Sequence, residues 1–139
     1  MSALSADLEA QRKVGHLVDY YVVDNDILYK GAMLCADDTT GYVEPATDAA
    51  SKNFAGVAAE KVDNTATGHS AGGKEIRVYK TGSFLFAKAS AARGDTGKAA
   101  YVLDDQTVAL TSTNGVLAGY IVEVPDSSHV QVRIDRAVQ

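Results

Sequence analysis

The sequence predicts an all-β fold, a compact β-sandwich or small barrel built from two similar meander units, with a short N-terminal arm or helix in front of it. Two observations carry this. Short segments in which apolar and polar residues alternate are separated by Asp, Asn, Gly and Pro turns along most of the chain. A set of anchors also recurs. Asp37-Asp38 precedes Ala55-Gly56, with Glu60 and Asp63 four and seven residues after the glycine; Asp104-Asp105 precedes Ala118-Gly119, with Glu123 and Asp126 at the same offsets. That recurrence reads as an internal duplication, with units at about 27–80 and 98–135.

At 139 residues the chain suits one domain, and a domain of that size buries enough surface for a core without staples. The reading divides it into an arm, 1–16, and a single β domain, 17–139. In the arm, Ser2 can cap a helix, Asp7 and Glu9 come early, Arg12 and Lys13 come late, and Gly15 can end it. So short a helix is marginal alone, so the arm either frays or docks on a neighbour. Leu4, Leu8, Arg12 and Lys13 are its candidate contacts with a neighbouring molecule.

Strand candidates follow at Val18 to Val23, Leu28 to Ala36, Tyr42 to Glu44 and Phe54 to Val62. Glu75 to Lys80 and the Phe84, Phe86 alternation flank Thr81-Gly82 and read as a hairpin. After a loop at Ser90 to Gly97, a meander is expected from Ala100 to Leu103, Thr107 to Leu110, Val116 to Val124 and Val130 to Ile134. Pro125 ends its long strand because proline cannot donate to a ladder. Phe84, Phe86, Val108, Leu110, Val130, Val132 and Ile134 are the expected core.

The net charge of −5 and the scattered Lys and Arg argue against nucleic acid as a partner, and no apolar run approaches the length of a membrane helix. The mixed, charged N-terminus predicts no signal peptide, and hence synthesis in a cytoplasm. Cys35, the single cysteine, lies in an apolar run and is expected in the core.

Four residue sets invite a chemical reading. Gly68-His69-Ser70-Ala71-Gly72 matches the G-x-S-x-G nucleophile elbow, yet it lacks the strand-then-helix context that the elbow needs. Asp63 to Ile76 spans thirteen positions where Asp126 to Val130 spans four, so the motif reads as a dispensable, flexible loop insertion. Arg93-Gly94-Asp95 is a tripeptide used by some adhesive ligands, but in a loop it commonly serves as a turn. The pairs Asp37-Asp38 and Asp104-Asp105 suit turns better than a metal or acid/base site. His16, His69 and His129 have no ligand spacing. No catalytic residue, cofactor or metal is expected.

The run Ala100 to Thr111 (AYVLDDQTVALT), followed by Ala118-Gly119, Val122-Glu123-Val124 and Val130 to Ile134, resembles the C-terminal signature of capsid cement (head decoration) proteins of tailed bacteriophages and prophages. Leu28 to Met33, Gly41 to Val43, Ala55 to Ala58, Glu60 to Asn64 and Val78 to Phe86 fit the same pattern in order. The resemblance implies a non-enzymatic structural protein of the virion. It would sit on the outer surface of an expanded head, bridge major capsid protein subunits, and form a homotrimer. The alternatives are a receptor- or glycan-binding β module on the virion surface and a small serine esterase using the GHSAG loop.

Overall fold

The computed structural model describes residues 15–135; the arm contacts Leu4, Leu8, Arg12 and Lys13 lie outside the described residues. The chain is all-β. The first half contributes β1 (Leu17–Tyr21), β2 (Ile27–Leu28), β3 (Met33–Asp37), β4 (Val43–Pro45), β5 (Lys52–Ala58), β6 (Val62–Asp63) and β7 (Glu75–Tyr79). The second contributes β8 (Ser83–Ala87), β9 (Ala99–Val102), β10 (Val108–Ala109), β11 (Leu117–Glu123) and β12 (His129–Arg133). One sheet runs β4-β3-β5-β7-β1, the other β10-β9-β11-β12-β8, and β2 pairs with β6 as a small ribbon.

These two orders are the same order. Each sheet pairs its strands antiparallel in the same sequence of neighbours, and even the irregularities correspond. Leu34 lies opposite Gly56 and Cys35 opposite Phe54, so Ala55 has no partner in that ladder; Ala100 lies opposite Gly119 and Tyr101 opposite Leu117, so Ala118 has none. Both Ala-Gly anchors are therefore β-bulges, one extra residue that bends the strand and tightens its twist. The bend curls each sheet until its edges touch. A single parallel bridge joins Val22 to Val43 in the first unit and Ala87 to Thr107 in the second.

Four expectations need correction. The repeat takes in one strand upstream of each expected limit, since β1 and β8 occupy matching edges. The hairpin across Thr81-Gly82 does not form, because β7 pairs with β1 and β5 while β8 pairs with β12 in the other sheet. Gly82, at φ +112°, turns the chain between the sheets. Nor is the C-terminal half a simple meander: β11 passes over β10 to pair with β9. Alternation records which face a residue occupies but not which strand lies beside it. The expected strand from Leu28 to Ala36 is also interrupted, by a turn in which the Ala32 N–H donates to the Tyr29 carbonyl next to Gly31 at φ +85°.

Leu28, Leu34, Val43, Ala55, Ile76 and Val78 fill the first barrel. The second core cluster fills the other barrel and continues across the junction to Met33, Cys35, Phe54 and Val57 of the first unit. Burying each large aliphatic side chain is worth about 1.5–3 kcal/mol, so the junction is a core in its own right. Of the expected core, Phe86, Val108, Val130, Val132 and Ile134 are buried, while Phe84 and Leu110 are partly buried against them. Cys35 is buried, and burial pushes its thiol up to about 11. Polar ties reinforce the junction: the Met33 N–H donates to the Asp105 carbonyl, and Asp48 accepts from the N–H groups of Thr113 and Asn114.

Candidate functional site

The GHSAG motif lies between β6 and β7 and is followed by a strand, so the elbow's helix is missing. His69 turns its Nδ1 to Asp24 at 2.6 Å, and among the described residues no side-chain hydrogen bond joins His69 to Ser70. A histidine could orient to a carboxylate in this way within a catalytic triad, but here the serine is not engaged by it. The loop is better tied than the sequence suggests. Asn64, buried, donates through Nδ2 to the carbonyls of Val23 and Ser70, both at 2.9 Å, and the Gly72 N–H donates to the Val22 carbonyl. These bonds pin the loop to the outgoing end of β1, so the expectation of a freely flexible insertion is corrected.

Arg93-Gly94-Asp95 forms a single 3-10 turn whose aspartate is buried. The Asp95 carboxylate accepts from the Ala92 N–H at 3.0 Å and pairs with the buried Lys88 at 3.0 Å, which together hold it below the usual carboxylate range. An adhesive use of this tripeptide would need that carboxylate at the surface. Here it holds a turn together.

The acidic pairs serve turns. Asp37 accepts from the N–H groups of Thr39 and Thr40 and pairs with Lys52 at 2.8 Å; Asp104 accepts from the Gln106 N–H. The three histidines are apart, each with a local partner: His16 with Thr81, His69 with Asp24, His129 with Asp126. Among the described residues no group of three or more His, Cys, Asp and Glu side chains is placed to hold a metal ion. No helix there is long and apolar enough to cross a membrane.

What the structure presents instead are surface recesses. A cleft of about 470 Å³ runs along the junction, with Tyr29 and Lys30 on one wall and Leu85, Phe86, Asp105 and Gln106 on the other. Tyr29 and Leu85 are exposed there, and the Lys61 ammonium lies 5.2 Å from the centre of the Tyr29 ring. Burial beside Asp104 raises the Asp105 carboxyl. A second apolar surface, at Tyr120 and Val122 on β11, lies against Arg133 and Asp135. Sequence reasoning missed both. The only available signal was the presence of large apolar residues at outward strand positions, which is legible only once register is known.

The class defined by this architecture is a tandem of two like five-stranded β units packed through a shared core. No family model matches the chain, and no curated protein matches it. A solved structure does: the N base of the head fiber gp8.5 of bacteriophage phi29, with a TM-score of 0.51 and 16% identity over 88% of this chain and 98% of that one. The likeness is one of fold.

Proposed function

We propose that this chain is a structural protein of a tailed-phage virion that binds the outer surface of the expanded head and bridges major capsid protein subunits, as a homotrimer. The observation that carries the reading is the shared fold with the base of a phage head fiber, which extends over nearly the whole of both chains. The C-terminal run from Ala100 to Ile134 supports it independently through its resemblance to capsid cement proteins. Bridging gains strength from geometry: once one contact forms, the second subunit is met at high effective concentration. A protein that binds only the assembled shell also stabilises that shell by mass action. In this reading the arm contributes to attachment through Leu4, Leu8, Arg12 and Lys13.

The test is a pelleting titration against expanded, DNA-free heads without decoration, using the full chain and a chain lacking residues 2–15. The full chain is expected to saturate the heads. Deletion is expected to weaken attachment at least tenfold, about 1.4 kcal/mol, with the melting temperature little changed. No binding by the full chain would refute the head reading, and equal affinities would take the arm out of it.

A further inference from the structure

The edge of a β-sheet presents a row of unpaired N–H and C=O groups, and proteins blunt such edges with short strands, charges or proline. Among the described residues the two five-stranded sheets end in β1, β4, β8 and β10, and three of these carry such a device. β10 has two residues, β4 has three and ends in Pro45, and β1 carries the exposed Asp19 beside Arg77. The fourth, β8, is five residues long, has neither charge nor proline, and pairs with β12 without a break in register. Val78 and Val132 hold matching places under the two bulge glycines, so Leu85 of β8 corresponds to Asp19 of β1. Where the first unit sets a carboxylate, the second sets a leucine that is 54% exposed.

The backbone of β8 is open on its outer side. The Lys88 N–H donates to the Ser128 carbonyl and the Ile134 N–H to the Gly82 carbonyl, so the even-numbered residues of β8 bond β12 and the odd-numbered ones point away from it. Of the latter, Ala87 donates its N–H to the Gln106 carbonyl at 3.0 Å, whereas the Leu85 N–H and C=O meet no partner among the described residues. Leu85 lines the cleft of about 470 Å³ whose opposite wall is Tyr29 to Ala32. Asp105 lines the same cleft and is half-buried, and no other described residue donates to its carboxylate or pairs with it. Burial, and then the charge of Asp104, hold that carboxyl above its ordinary range, so a cation placed beside it would offset a cost already present.

We propose that the edge of β8 is a docking site for one extended segment of a partner protein, which adds a strand at Leu85 and sets a basic side chain against Asp105. Strand addition draws affinity from main-chain hydrogen bonds and specificity from the surroundings of alternate side chains. An extended chain is the occupant that fits, because lying about 4.8 Å from β8 it meets the N–H and C=O of Leu85 with its own. Leu85 and the exposed Tyr29 supply the apolar contact, and the uncompensated Asp105 supplies the preference for positive charge.

The probe is a displayed library of random nine-residue peptides selected against the full chain, with the selected peptides resynthesised and titrated by fluorescence anisotropy. They are expected to alternate apolar residues and to carry a Lys or Arg, and to lose affinity at least fivefold against Asp105→Asn. Leu85→Pro removes the outward N–H without removing a bond to β12, a place where an edge strand tolerates proline, and should weaken binding at least tenfold. If that variant fails to fold, Leu85→Asp, which copies Asp19 of the first unit, serves instead, and N-methylation of alternate peptide amides should abolish binding to the wild type whatever the variants do. No selected binder, binders without a basic residue, or binding indifferent to the Leu85 variants and to N-methylation would overturn the proposal. Binding seen only after residues 2–15 are deleted would give the edge to this chain's own arm, and self-association in sedimentation velocity that Leu85→Asp abolishes would give it to a second copy; either result overturns the proposal. Head pelleting is read separately, so a chain that binds these peptides and ignores heads removes the capsid reading and leaves this one standing.

Discussion

Gly56 and Gly119 hold the same position in the two units: a β carbon on either would lie 2.2 Å from a backbone carbonyl oxygen, that of Tyr79 in the first unit and that of Arg133 in the second. The next obstacle is also matched, since Val78 Cγ1 and Val132 Cγ1 would be 2.7 and 2.9 Å away. Their backbones are at φ +140° and +153°, conformations that L side chains rarely adopt. Both bulges thus depend on a missing side chain, and the duplicated Ala-Gly anchors have a steric cause.

Gly56→Ala and Gly119→Ala are each expected to cost about 3 kcal/mol or more, because strand backbone rather than a flexible side chain would have to move. Gly31→Ala is the comparison: it has positive φ but open space around it, and should cost only about 1–2 kcal/mol. Urea unfolding at equilibrium measures all three. Similar losses at Gly31 and at the bulge glycines would refute the close-approach argument.

The loop carrying His69 and Ser70 should be sensitive at its buried anchor and tolerant at its tip. Asn64→Ala leaves the Val23 and Ser70 carbonyls without their donor, at a cost of about 2–3 kcal/mol. His69→Ala removes only a half-exposed pair with Asp24, and should cost under about 1 kcal/mol. Thermal or urea denaturation separates these outcomes; a larger loss for His69→Ala than for Asn64→Ala would reverse the assignment of the anchor.

Acid should weaken the first unit through Asp37. Its carboxyl is held at about 2, against an ordinary 3.8, first by the Lys52 ammonium and then by the N–H groups of Thr39 and Thr40. Because the folded value is the lower one, the contribution is present above about pH 4 and is lost as pH falls toward 2. Lys52→Met removes the largest cause, so the fall in melting temperature between about pH 5 and pH 2.5 should be shallower than in wild type. Scanning calorimetry across that range decides it, and parallel profiles would show that the pair contributes nothing to acid sensitivity.

Much of the candidate site could not be read from the linear chain. The arm residues were singled out by charge order and apolar spacing, and they lie outside the described residues. The motifs with the sharpest chemical associations became structural parts. Asp95 is buried against Lys88, and His69 is turned toward Asp24. Short motifs name residue types, whereas chemistry depends on which atoms face one another and whether solvent reaches them.

By itself the sequence determined the β class, the existence of two copies and the apolar residues of the second unit's interior, because strand alternation, turn residues and a repeated Ala-Gly step are local properties of the chain. Tertiary structure decided which strands are neighbours. The step from β7 to β8 looks like a hairpin in sequence, yet the two strands join different sheets; β11 reaches past its predecessor to β9. It also decided that Phe54 and Val57 are buried while their counterparts Leu117 and Tyr120 are not. Both outcomes depend on contacts between residues distant in sequence. Their free energy comes from surface removed from water when the two units meet, and no local pattern encodes which face that will be.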